Sequence, residues 1–237
     1  MNRGPLLFLG TFFALAVSWF GMVLAPQLQI GRQSQVPTDN GAVYPDRRPG
    51  LAMQGEDVYR AEGCYYCHTL QVRPRGFGTD FQRGWGGRAA RVESVAEDYL
   101  YDYPVMLGSQ RIGPDLTNIG LRQTNSVWLL THLYNPQLTS PKSVMPPYRF
   151  LFEKRSLSLG AKPSPEALPL DAGAGWEIIP TDDARALVAY LLSLHSDAVL
   201  FETPPFPRPT NAPPVVAATN APAGAQTNSP ATNSPPK

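Results

Sequence analysis

The longest apolar run in the chain lies at its start. From Pro5 to Ala25 no charged residue occurs, and Leu, Phe, Ala, Val, Trp and Met dominate. At about 1.5 Å per residue such a helix spans roughly 32 Å, enough to cross a hydrocarbon core of about 30 Å. A cleaved signal peptide is the rival reading, because Val23-Leu24-Ala25 puts small residues before a possible cut. The run exceeds a usual signal core of about 7–15 residues, and Pro26 would follow the cut directly. The pattern therefore predicts a retained anchor over residues 1–30.

Residues 31–50 hold Pro37, Pro45, Pro49 and Asn40-Gly41 without an apolar period, which predicts a linker. Leu51 to Glu62 reads as a helix in which Gly55, Tyr59 and, just beyond, Gly63 fall four apart, close to one face. A small residue beside an aromatic suits the close crossing of another helix. Val92 to Tyr103 predicts a short helix stopped by Pro104. Ser126 to Tyr134 predicts another, with Val127, Leu130 and Tyr134 on one side and Asn135-Pro136 ending it. Phe150 to Thr181 reads as irregular, with a short extended piece at Trp176 to Ile179. Thr181-Asp182-Asp183 caps a last helix running to about Ser196. Its stripe of Leu187, Tyr190, Leu191 and Leu194 should pack on Gly55 and Tyr59. Beyond Thr203 the chain is Pro, Ala, Asn, Thr and Ser, too poor in apolar surface to order itself. The domain reading is thus a 1–30 anchor, a 31–50 linker, a 51–200 folded domain and a disordered 201–237 tail.

Composition adds little. The formal net charge is +1, so nothing in the overall balance points to nucleic acid as a partner. The charge is uneven, however. Gln71 to Arg91 holds Arg73, Arg75, Arg83, Arg88 and Arg91 against Asp80 alone, with Trp85 among its glycines. This stretch is either a solvated irregular loop or a docking surface for a partner or for haem propionates, since guanidinium groups pair strongly with carboxylates.

Both cysteines lie in Gly63-Cys64-Tyr65-Tyr66-Cys67-His68. A Cys-x-x-Cys-His run is a c-type haem attachment signature, with two thioether links and the adjacent imidazole as proximal iron ligand. Half of a zinc site is the first alternative, but structural zinc takes four Cys or His ligands, and outside this run only His132 and His195 remain. A redox dithiol is the second, and the βαβ context it wants is absent. Covalent haem attachment in bacteria takes place outside the cytoplasmic membrane, so the motif also implies a periplasmic domain with the N-terminus inside. Arg111-Ile112-Gly113-Pro114-Asp115-Leu116 follows. The Pro114 carbonyl could accept the proton on the free ring nitrogen of His68, fixing the imidazole and raising its basicity. His132 reads as a surface or hydrogen-bonded histidine rather than a haem ligand, and His195 as a surface residue near a negative helix terminus.

The order helix, Cys-x-x-Cys-His, Gly113-Pro114-Asp115-Leu116, Met145-Pro146, closing helix with Ala186-Leu187-Val188-Ala189-Tyr190-Leu191 resembles small monohaem class I cytochromes c. From Gly55 to Phe152 a narrower resemblance rests on Gly55-Glu56-Asp57-Val58-Tyr59, the haem motif, Gln71-Val72-Arg73-Pro74, Tyr101-Asp102-Tyr103-Pro104, Gly108-Ser109-Gln110-Arg111 and His132-Leu133-Tyr134-Asn135-Pro136. These look like the membrane-anchored monohaem subunit of cbb3-type cytochrome c oxidases. The resemblance implies an all-α fold: a class I cytochrome c domain on one N-terminal transmembrane helix, with long irregular loops and a disordered tail. It implies one covalent haem c and no catalytic site in this chain. It further implies a place in the bacterial inner membrane beside a haem–copper catalytic subunit and other cytochrome c subunits, to which electrons pass. The Phe77 to Arg91 insert, the Phe150 to Thr181 stretch and the Pro-rich tail depart from that pattern. A nitric oxide reductase cytochrome subunit and a free-standing anchored shuttle are the other readings; peroxidase chemistry would need an open iron position.

Of the five methionines, Met145 is the expected sixth ligand, opposite His68. Met1 and Met22 belong to the anchor region, Met53 should pack on its helix, and Met106 precedes the turn that serves the proximal histidine. Met145 sits on a loop stiffened by Pro146 and Pro147. A neutral sulfur ligand raises the potential. Arg111 is the candidate propionate or interface contact, because it joins the family-like ribbon to the Gly113-Pro114 turn.

Overall fold

A computed structural model describes residues 3–196 apart from 32, 39–40, 87–92 and 159–161, together with residue 198. The expected tail, from Thr203 on, lies outside the described residues. So do Arg88 and Arg91 of the arginine-rich stretch.

The N-terminal run is helical throughout. Helix α1 (Gly4–Trp19) passes through a π segment (Phe20–Leu24) into α2 (Ala25–Ile30). The wider π turn lies just ahead of Pro26, whose missing N–H and bulky ring oppose a regular α-helix. Ala25 N–H reaches back five residues to the Phe20 carbonyl. The stretch Gly4–Gln29 is long and apolar enough to cross a membrane, and none of its side chains is buried by the protein.

The linker is more structured than its prolines predict. Strands β1 (Val36–Pro37) and β2 (Val43–Tyr44) form a short antiparallel pair. Tyr44 donates from its hydroxyl to Asp98 at 2.7 Å. Arg48 bridges Asp102 at 2.5 Å and Glu56 at 3.2 Å. Side-chain bonds from Tyr44 and Arg48 to Asp98, Asp102 and Glu56 thus tie the end of the linker to the domain.

Helix α3 (Gly50–Ala61) and helix α7 (Asp182–Ser193) form the centre of the domain, as the two patterns predict. Gly55 is the contact point. A Cβ there would run into the Ala186 carbonyl and the Tyr190 Cβ, so only glycine lets the backbones approach. Tyr59 packs on Tyr190 with ring centroids 5.3 Å apart and planes at 56°, a tilted pair worth about 0.5–1.5 kcal/mol beyond its buried area. Thr181 caps α7, its hydroxyl accepting from Ala184 N–H at 3.3 Å, and Asp182 and Asp183 complement the dipole of the first turn.

Between them run α4 (Ile119–Arg122), α5 (Ser126–Tyr134) and α6 (Pro136–Thr139). Asn125 caps α5 by accepting from Trp128 N–H at 3.1 Å, and Asn135 both ends α5 and caps α6. The buried face of α5 carries Leu129 and Leu133, with Leu130 and Tyr134 partly buried, while Val127 is exposed. Met53 is likewise exposed rather than packed.

Two further expectations are corrected. Of the expected helix from Val92 to Tyr103, the described residues 93–103 contain a single 3₁₀ turn, Ala96–Tyr99, and no α-helix. In Phe150 to Thr181 the expected extended piece is strand β4 (Trp176–Pro180), but it has an unexpected partner: after a 3₁₀ turn (Arg149–Leu151), β3 (Phe152–Ser156) pairs antiparallel with it, Lys154 opposite Ile178. The described residues are thus mainly helical with two small sheets, and not all-α. One face of β4 closes the core with Ile178, next to Leu187 and Leu191 in the same cluster.

Candidate functional site

The cysteine motif starts where α3 stops. Gly63 adopts φ +68°, the left-handed region that glycine tolerates, and turns the chain into a 3₁₀ helix, Cys64–Tyr66. Cys67 N–H and His68 N–H both donate to the Cys64 carbonyl, at 3.2 and 3.0 Å. The two thiols and the imidazole are thereby carried on one tight turn.

A second segment wraps this turn. Leu70 N–H donates to Leu107 carbonyl, Ser109 N–H to Tyr65 carbonyl, Gly113 N–H to Cys67 carbonyl and Leu116 N–H to Thr69 carbonyl, all within 2.8–3.0 Å. Gly108, at φ +86°, lies so close to the His68 carbonyl that a side chain could not fit. Gly113 faces the His68 ring: a Cβ there would come within 2.7 Å of both ring nitrogens. The ring is therefore fixed from one side by a missing side chain.

Its polar anchor is the one expected. His68 Nδ1 stands 2.7 Å from the Pro114 carbonyl oxygen. With that carbonyl accepting, Nδ1 carries the proton and Nε2 keeps its lone pair for a metal. Burial holds the His68 pKa below the ordinary histidine value despite this hydrogen bond, which keeps the imidazole neutral. Asp115, fully buried, accepts from Thr69 Oγ1 (2.6 Å), Gln71 N–H (2.9 Å) and Thr117 N–H (2.9 Å). It pins the residues just after His68 to the Gly113-Pro114 turn. The motif-based reading missed this aspartate, although an acid between Pro114 and Leu116 with no basic neighbour was a signal for buried use.

The thiols discriminate between the readings of the motif. Both are free and partly buried. Burial, then the charge of Glu62, pushes the Cys64 thiol up to about 12. A redox dithiol needs the opposite shift. Among the described residues no group of three or more His, Cys, Asp or Glu is placed to hold a metal ion, which removes the zinc reading there.

Met145, partly buried, packs against the same apolar cluster as Cys64 and Tyr65. Tyr148 follows on that loop. Its phenol is pushed up to about 12, by burial first and then by Cys64 and Cys67, so it lies within electrostatic reach of both thiols; spacing alone did not single it out. Met106 is buried in the core, one residue before the Leu107 carbonyl that holds Leu70. His132 stacks on Trp128, centroids 4.9 Å apart and planes 7° apart, with Nδ1 2.5 Å from Thr139 Oγ1. His195 is exposed, just past the end of α7.

Arg111 has protein partners. Its Nε donates to Thr69 Oγ1 at 2.9 Å, and its Nη2 reaches the Gln71 carbonyl at 2.5 Å and Asp80 at 2.9 Å. Arg73 grips the same carboxylate at 2.7 Å. Asp80, Trp85 and Val72 are buried while most of residues 71–86 are exposed, so the stretch is a solvated irregular loop anchored by its own small core.

The donor set fits a covalent haem: two free thiols on one turn, a neutral imidazole with Nε2 available, and the Met145 thioether packed against the same apolar cluster as Cys64. The Tyr59 hydroxyl, buried without a hydrogen-bond partner, lies within electrostatic reach of Cys64 and is a further polar atom beside the motif.

The family model described as cytochrome c oxidase, mono-heme subunit/FixO matches residues 2–168. The chain belongs to the FixO family of mono-haem cytochrome c oxidase subunits. A search of curated proteins finds no match. Membership assigns the chain to an oxidase as one of several subunits, with one haem. The match stops at residue 168, before β4 and α7, which complete the core.

Proposed function

We propose that this FixO-family chain is the membrane-anchored electron-transfer subunit of a cbb3-type oxidase, carrying one haem c. The observation that carries the reading is the His68–Pro114 contact beside two free thiols on one turn. Haem c, when bound, supplies one-electron exchange between ferrous and ferric iron. Cys64 and Cys67 would hold the group covalently, His68 would offer Nε2 to its iron, and Met145 would offer its thioether sulfur. The domain has the class I cytochrome c architecture, with α3 and α7 crossed at Gly55 behind the haem motif.

The remaining residues set orientation and environment. Pro114 and Gly113 fix the imidazole plane, and Asp115 locks that turn to the motif. Arg111, the expected propionate or interface contact, also acts as a positioning residue that holds the 71–86 loop against Thr69. The helix from Gly4 to Gln29 is a retained anchor in the inner membrane, with its N-terminus in the cytoplasm and the haem domain in the periplasm. The electrons leave for a haem–copper subunit, where oxygen is reduced.

Purification of the tagged chain from membranes in mild detergent tests this. A haem–copper subunit should co-purify, and the complex should take up oxygen. Turnover of nitric oxide instead would assign the chain to a reductase complex, and purification alone would make it a free shuttle.

A further inference from the structure

The 71–86 loop carries an unusual set of cations. Arg73 and Arg111 both bind Asp80, which is 1% exposed and thereby fully used. Arg75 and Arg83 are exposed, and among the described residues neither guanidinium makes an ion pair or a hydrogen bond. Each instead lies over an aromatic ring, Arg75 3.8 Å above Phe81 and Arg83 5.0 Å above Trp85. Stacking of this kind contributes about 0.5–1 kcal/mol at exposed sites, and it leaves the planar edge of the guanidinium, with its N–H donors, turned to whatever approaches. Trp85 is itself buried, so the platform under Arg83 is rigid. Phe77, 74% exposed, sits between the two arginines in sequence.

We infer that Arg75 and Arg83 form a docking face for a protein partner presenting a carboxylate-rich surface, the class of partner that would deliver electrons to this subunit. Three observations support this occupant. Stacked guanidinium groups match carboxylates in planar, two-point geometry. Arginine mixed with exposed aromatic side chains is the composition of protein interfaces. The loop is coupled through Asp80 and Arg111 to Thr69, the residue after His68, so a partner docked here sits beside the haem-bearing turn. The last point rests on the electron-transfer reading; the carboxylate-binding face does not.

The test uses the full haem-loaded chain in phosphatidylcholine nanodiscs and a fluorescent octaglutamate peptide as probe. The peptide should bind, more weakly as salt rises. Arg75→Gln with Arg83→Gln should weaken binding about tenfold, as two exposed pairs allow, with an unchanged haem spectrum. Lys142→Gln with Lys162→Gln, which removes the same charge elsewhere, should change it less than about twofold. Equal loss in the two double variants would reduce the effect to net charge and overturn the proposal, as would no binding. Abolition of peptide binding when phosphatidylglycerol is added to the nanodiscs would assign the face to lipid headgroups and overturn it too. Peptide binding is read without oxidase turnover, so its failure is distinct from failure to co-purify with a haem–copper subunit.

Discussion

Gly113 lies against the His68 imidazole, and the next residue, Pro114, accepts from its Nδ1 at 2.7 Å. One turn thus supplies both the space and the hydrogen bond that set the ring plane. Gly113→Ala would place a methyl group within 2.7 Å of the ring nitrogens. Overpacking of this sort costs about 1–3 kcal/mol. The variant should lose thermal stability and carry less haem per chain, measured by the haem-to-protein absorbance ratio.

The α3–α7 crossing makes a second prediction. Gly55→Val should lower the denaturant midpoint by the equivalent of about 2 kcal/mol or more, since the Ala186 carbonyl and Tyr190 are rigid neighbours. Gly50→Ala, in the same helix with open space around it, should leave the midpoint unchanged or slightly raised.

That crossing was legible because its signal is local: Gly55 and Tyr59 sit at helical spacing, and so do Leu187, Tyr190 and Leu191. The haem motif and its proline partner were legible for the same reason. The β3–β4 pair was not. On β3 Phe152 is buried and the next four residues are exposed, so no alternation marks the strand, and its partner begins twenty residues later. The docking of Arg48 was equally hidden, because Asp102 lies 54 residues away. Asp80 was visible as a lone acid among arginines, but its buried position goes with bonds from Arg73 and from Arg111, which lies 31 residues away. Long-range pairings of single charged residues leave no period to find.

Asp80 also carries a pH dependence. Burial alone would raise its pKa, but the bonds from Arg73 and the charge of Arg111 outweigh that and hold it below the ordinary aspartate value. A depressed folded-state pKa stabilises the fold above the unfolded value of about 3.9, and this contribution fades as pH falls toward the folded value. The stability gap between the native chain and Asp80→Asn should therefore be constant above about pH 5 and shrink below about pH 4. Denaturant midpoints at a series of pH values check it; a gap that widens in acid would be the wrong sign.

The axial ligand is testable by spectroscopy. Met145→Ala should remove the weak far-red sulfur-to-iron band of the oxidised protein, lower its potential and open the iron to carbon monoxide. The same band should survive Met106→Ala, because Met106 is buried in the core beside Leu107. Loss of the band in Met106→Ala but not in Met145→Ala would reverse the assignment.

The intact mass of the full chain, isolated from membranes and measured under denaturing conditions, tests the covalent haem most directly. The expected mass is that of the polypeptide starting at its N-terminal anchor plus one haem, and Cys64→Ser with Cys67→Ser should give the bare polypeptide. A native chain with no added haem mass would contradict the assignment of Cys64 and Cys67 and the electron-carrying role that rests on it.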